Sequence, residues 1–116
     1  MAKGMYTQVI VDGTIGSAAT VDYGPFLIER GNAFSVIIEA LNAGGSIDVA
    51  YKICSSKDGT FFTPAGASLI FDDLLVAAVP NAASFTPIAA PWLKISIVNN
   101  VAAVHTITAK LVVQED

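Results

Sequence analysis

Cysteine and histidine are nearly absent: the 116 residues contain one of each. A disulfide needs two thiols, and a structural zinc site needs four Cys or His ligands. Neither scaffold is available within this chain. Cys54 on its own fits a reducing compartment, and a bridge to another molecule stays open. Charge is also scarce. Asp, Glu, Lys and Arg make up 14% of the chain, against about 25% in ordinary soluble domains. Only six residues are Lys or Arg, they are scattered, and the net charge is −4. Binding to nucleic acid needs clustered basic side chains, so no nucleic-acid partner is expected. No apolar run approaches the ~20 residues of a transmembrane helix. No signal-peptide run follows Lys3. The expectation is a protein made in the cytoplasm, with no membrane partner.

What the chain does have is apolar content, 53% by residue count. Low charge with high hydrophobicity excludes disorder. The length suits one domain spanning 1–116. The pattern has a period of two. Phe34, Val36, Ile38 and Ala40 alternate with Ser35, Ile37, Glu39 and Leu41. Ile47, Val49, Tyr51 and Ile53 alternate with Asp48, Ala50, Lys52 and Cys54. Leu93, Ile95 and Ile97 alternate with Lys94, Ser96 and Val98. Ile107, Ala109, Leu111 and Val113 do the same near the end. Successive side chains on a strand face opposite ways, so each set lines one sheet face. Strong strands are predicted at 33–41, 46–55, 92–99 and 105–114. Weaker ones fall at 5–11, 20–23, 26–29, 67–71 and 83–87.

Asp12-Gly13 and Asp58-Gly59 read as turns. Asn42-Ala43-Gly44-Gly45 and Asn99-Asn100 each separate two strong strands, so each predicts a hairpin. Segment 71–79 is ambiguous, and irregular structure or one short helix capped by Asp72 or Asp73 is expected there. Short strands with frequent turns make the class all-β, an antiparallel sandwich or barrel. The expected core is Phe34, Val36, Ile38, Ile47, Val49, Tyr51, Ile53, Leu93, Ile95, Ile97, Ile107, Leu111 and Val113.

No catalytic signature is present. His105 has no nucleophile or carboxylate at a recognisable spacing and reads as a strand-end surface or interface histidine. Cys54 lacks the positive surroundings that make a thiolate reactive. Asp72-Asp73 lacks the alternating acidic pattern of a Ca²⁺ loop, and a loop or cap role is expected. Gly13–Gly16 and Gly44-Gly45 do not open helices after strands, so they are not phosphate cradles. No enzyme, cofactor or metal is expected. Trp92 shares a face with Lys94, Ser96 and Val98 and is a candidate ligand or interface residue.

The segment Ser56-Lys57-Asp58-Gly59-Thr60-Phe61-Phe62 resembles the Ser-x-Asp-Gly-x-x-aromatic turn of discoidin-like jelly rolls. Ala90-Pro91-Trp92-Leu93-Lys94-Ile95-Ser96-Ile97, with Phe85-Thr86-Pro87 before it, resembles a strand of those domains, with Lys94 where Arg is usual. About half the chain is covered. The resemblance implies a single antiparallel jelly-roll-like β-sandwich. With Trp92, it also implies a carbohydrate-binding module as an alternative function. The cadence of the whole chain, short and rich in Ala, Gly, Thr and Val, is similar to small accessory virion proteins of tailed bacteriophages, those of head decoration or the tail. That similarity implies a non-enzymatic structural role in a virion, and it transfers no functional residue. Some apolar residues fall on the polar sides of strands: Ile37, Leu41, Val98 and Val112. Exposed together they would promote aggregation, so they are candidate contacts between subunits of a homo-oligomer or with other virion proteins. Closed symmetry makes a dimer the default, and the phage resemblance moves the expectation to a trimer.

Overall fold

The computed structural model describes residues 4–40, 45–64, 68–75 and 79–115. Eight strands follow one another: β1 Met5–Ile15, β2 Thr20–Leu27, β3 Gly31–Ala40, β4 Ser46–Cys54, β5 Leu69–Leu75, β6 Asn81–Phe85, β7 Trp92–Asn99 and β8 His105–Glu115. They form two four-stranded sheets with orders β1-β8-β3-β6 and β2-β7-β4-β5. All pairings are antiparallel. β1 pairs with β8, β2 with β7, β3 with β6, and β4 with β5. That nesting, as if one long hairpin were rolled up, defines the jelly roll. No helix occurs among the described residues.

The two predicted hairpins are corrected. β3 and β4 lie in different sheets, as do β7 and β8. Turn residues allow the chain to reverse, but they do not decide whether the next strand pairs beside the last or packs across the core. β4 and β5 are the only consecutive strands that pair. Asp12-Gly13 is no turn either. Both residues lie within β1, opposite Thr108 and Ile107. The helix or irregular segment expected from residue 71 is an edge strand as far as Leu75, with Asp73 at φ 51°. Residues 76–78 of that segment, and Leu41 to Gly44, lie outside the described residues.

Every expected core residue is buried between the sheets. Ile10, Val11, Ile15, Phe26, Ile28, Ala40 and Ala109 join them. A β-bulge between Val9 and Val11 puts Ile10 and Val11 both inside, which breaks the alternation that periodicity depends on. A second bulge, around Gly24-Pro25, hides Phe26 in the same way. Pro25 is tolerated there because β2 is an edge strand. Phe85 stacks at 5.9 Å on Phe34 and at 5.5 Å on Tyr51. A Cβ at Gly31 would meet the Phe34 ring and the Val113 side chain, so the cluster would have to shift to admit one.

His105 is corrected as well. It is only 3% exposed, stands opposite Ile15, and neither ring nitrogen has a hydrogen-bond partner. It shares its parity with Ile107, Ala109, Leu111 and Val113, so strand geometry turns it inward. Nearby, Asn99 Nδ2 donates to the Gly16 carbonyl at 3.0 Å and to the Ala103 carbonyl at 2.8 Å. That side chain ties the β1–β2 connection to the β7–β8 connection.

Candidate functional site

The outer surface of the β1-β8-β3-β6 sheet is built from the residues its core-facing neighbours leave outside. The register aligns them in rows across the strands. Met5, Gln114 and Ala33 form one row. Thr7, Val112, Ser35 and Ser84 form the next, followed by Val9, Lys110, Ile37 and Ala82, then Asp12, Thr108 and Glu39. Met5, Val9 and Ile37 are among the most exposed large apolar side chains, at 68%, 59% and 41%. The first two rows have no charge, and the third has only Lys110. A shallow depression of about 300 Å³ lies here, lined by Met5, Ser35, Ser84, Val112 and Gln114 among others.

The other outer surface, on the β2-β7-β4-β5 sheet, has the opposite character. Lys52 and Lys94 stand directly opposite each other on β4 and β7. Like charges so placed repel. Asp22 on β2 relieves this by accepting from Lys52 Nζ at 2.7 Å. Burial alone pushes the Asp22 carboxyl upward. The hydrogen bonds from Lys52 and Ser96, with the charges of Lys52 and Lys94, outweigh it and hold the group below its ordinary value. Lys94 Nζ lies 4.5 Å from the centre of the Phe61 ring, a cation–π contact. At the far end Asp48, Asp72 and Asp73 bring carboxylate oxygens within 4.8 Å of one another. Asp48 Oδ1 accepts the Asp73 backbone N–H at 2.7 Å, so the cluster is knitted by its own backbone.

The candidates from sequence divide between these surfaces. Ile37 and Val112 sit in adjacent rows of the β1-β8-β3-β6 face. Val98 does not join them. It lies on the charged side, between Thr20 and Asp48, and is half-buried. Trp92 is also on the charged side, between Leu27 and Cys54, and half-buried. Cys54 points outward by parity yet is only 4% exposed. A Cβ at Gly59 would meet its sulfur at 2.9 Å, so the segment after β4 closes over the thiol. Leu41 lies outside the described residues. Met5 and Val9 were missed as members of the β1-β8-β3-β6 face, whereas Glu39 and Lys110 follow from the alternation that places Ile37 and Val112 there. For Met5 and Val9 the only signal was the alternation of β1 ahead of its bulge.

One further hollow, about 400 Å³, lies at the end of the sandwich between the β2–β3 and β6–β7 connections. Ile28, Phe34, Pro87, Ile88 and Pro91 line much of it. It holds no cluster of titratable groups, and Glu29 is its one ionisable lining residue.

Two-sheet jelly rolls of this kind occur in viral and prophage proteins. The chain superposes on VP2 of infectious bursal disease virus, solved as a subviral particle, with a TM-score of 0.62 at 18% identity, over 97% of this chain and 33% of that one. A structure of the Gt strain of the same virus gives 0.63 at 14% identity, over 97% and 32%. This chain thus spans about a third of those proteins' length. The prophage-derived protein YomS, from SPBc2, gives 0.56 at 11% identity, over 99% of this chain and 96% of that one. No family model matches the sequence, and no curated protein does. At these identities the likeness is one of fold. No helix of the described residues is long and apolar enough to cross a membrane.

Proposed function

We propose that this protein is a non-enzymatic structural subunit of a phage virion, of head or tail, that self-associates through the outer face of the β1-β8-β3-β6 sheet. The observation that carries the reading is the contrast between the two outer surfaces. One carries the Lys52–Asp22 ion pair, a second lysine and an acidic cluster, with Leu27 and Leu69 exposed on its two edge strands. The other presents Met5, Val9, Ile37 and Val112 with few charges among them. Exposed apolar side chains spaced by small hydroxyl residues, with little charge, suit contact with a partner. The fold supports the virion assignment, since VP2 builds a subviral particle and YomS is prophage-derived. The carbohydrate-binding alternative rests on Trp92, whose ring is half-buried beside Leu27.

Light scattering coupled to size exclusion tests the assembly. Masses of two or three times 12.0 kDa separate a dimer from the trimer expected by resemblance. Ile37→Lys is expected to shift the protein toward monomer, and Val98→Lys to leave the mass unchanged. A parent that stays monomeric at all concentrations would defeat self-assembly. Binding on a glycan array would move the assignment to carbohydrate recognition.

A further inference from the structure

We infer that the outer face of the β1-β8-β3-β6 sheet is a two-fold contact between copies of this chain, its axis running along the strands between β8 and β3, with Lys110 of each copy reaching Glu39 of the other. This contact rests on the self-association proposed above and specifies its geometry. The face has room for it. β1, β8, β3 and β6 run for 11, 11, 10 and 5 residues. At about 3.3 Å per residue and about 4.8 Å between strands, they present roughly 600 Å² per copy. A pair would cover about 1,200 Å², the lower edge of what specific interfaces bury.

The pattern of residues accommodates this axis. Rotation about a line between β8 and β3 keeps each row level with itself and exchanges the strands. β8 then faces the other copy's β3, and β1 faces its β6. Val112 meets Ser35, Val9 meets Ala82, and Thr7 meets Ser84, so apolar and small side chains pack against one another. Lys110 meets Ile37, over which its aliphatic stem can lie. Two residues along that same facing strand is Glu39, offset by about 6.7 Å along the strand and about 10 Å across the contact, a span that the two extended side chains bridge together. Within one copy Lys110 and Glu39 are diagonal neighbours across the β3–β8 pair, and no ion pair joins them. Asp12, the other acid on this face, is on β1. It falls beyond Asn81, the first residue of β6, and meets no like charge. An axis across the strands, between the third and fourth rows, would set Ile37 against Glu39 and Val9 against Asp12. The apolar rows would then face acids.

The test is charge complementation in solution. Lys110→Glu and Glu39→Lys are each expected to weaken self-association about tenfold or more, because each sets like charges across the contact. Circular dichroism checks that both variants keep the β spectrum. Mixed in equal amounts, the two variants are expected to regain the parent's association as a heterodimer, since both cross-copy pairs are then of opposite sign. If the parent itself never associates, the self-assembly reading fails and the contact with it. If the parent associates but the mixture is no better than either variant alone, self-assembly stands and this two-fold contact is overturned.

Discussion

The two outer surfaces of the sandwich lie on opposite sides of the same core and have been filled by opposite rules. On the β2-β7-β4-β5 side, the two facing lysines are compensated within the chain, while Asp48, Asp72 and Asp73 stand together at the far end. Asp22 serves Lys52 and Lys94, and Phe61 covers Lys94. On the β1-β8-β3-β6 side, Lys110 and Glu39 lack that mutual pairing and sit among apolar and hydroxyl side chains. A surface whose charges are already paired internally gains little from a partner. A surface with unpaired charges amid exposed Val, Ile and Met gains both burial and pairing. The proposed contact rests on this comparison, and no sequence motif enters it.

The largest test asks whether the difference is confined to the outside. Leu111 at the centre of one sheet and Ile95 at the centre of the other are both 0% exposed. Leu111→Ala and Ile95→Ala should each cost about 2–5 kcal/mol in chemical denaturation, since each leaves a cavity in a shared core. A large loss for one and none for the other would mean that the sheets do not share that core equally. Next comes Cys54, sealed on the charged side. Cys54→Ser is expected to lower stability by about 1–3 kcal/mol, because the hydroxyl is buried where a thiol packed as a small apolar group. Association should be unchanged. Loss of association with the fold intact would bring the charged side into the contact.

The smallest effect concerns Asp22. Its folded value lies below its ordinary one, so its ion pair stabilises the fold at neutral pH. That contribution is lost as pH falls through the folded value. The pair is about one-third exposed, so the loss should stay under about 1 kcal/mol. Asp22→Asn should flatten this part of the acid limb when stability is measured from pH 6 downward. An unaltered acid limb would show that the pair contributes nothing.

Strand periodicity made the core legible, because burial between two sheets imposes a period of two on β3, β4, β7 and β8. It made His105 legible too, had its parity with Ile107 been followed rather than its place at a strand end. The losses came where geometry departs from that period. The bulge at Val9–Val11 buries two consecutive residues, and Gly24-Pro25 interrupts β2. The pairing of strands was not readable from turns, because Asn99-Asn100 turns the chain equally well within a sheet or between sheets. The candidate face was half legible. Ile37 and Val112 stood out as apolar residues at polar parity. That Val98 belongs to the opposite surface depended on strand order, which parity does not encode.

The nested pairing has a consequence in time. Only β4 and β5 are neighbours in sequence, and each further pair, out to β1 with β8, closes over a longer stretch of chain. Such non-local topologies fold slowly, on the order of milliseconds to seconds. β8 is both the last strand and an inner strand of the contact sheet, lying between β1 and β3. A chain still being synthesised therefore has β1 and β3 but no surface joining them. The outer face of this sheet comes into being only when β8 pairs between β1 and β3, so the proposed self-association would have to follow that step.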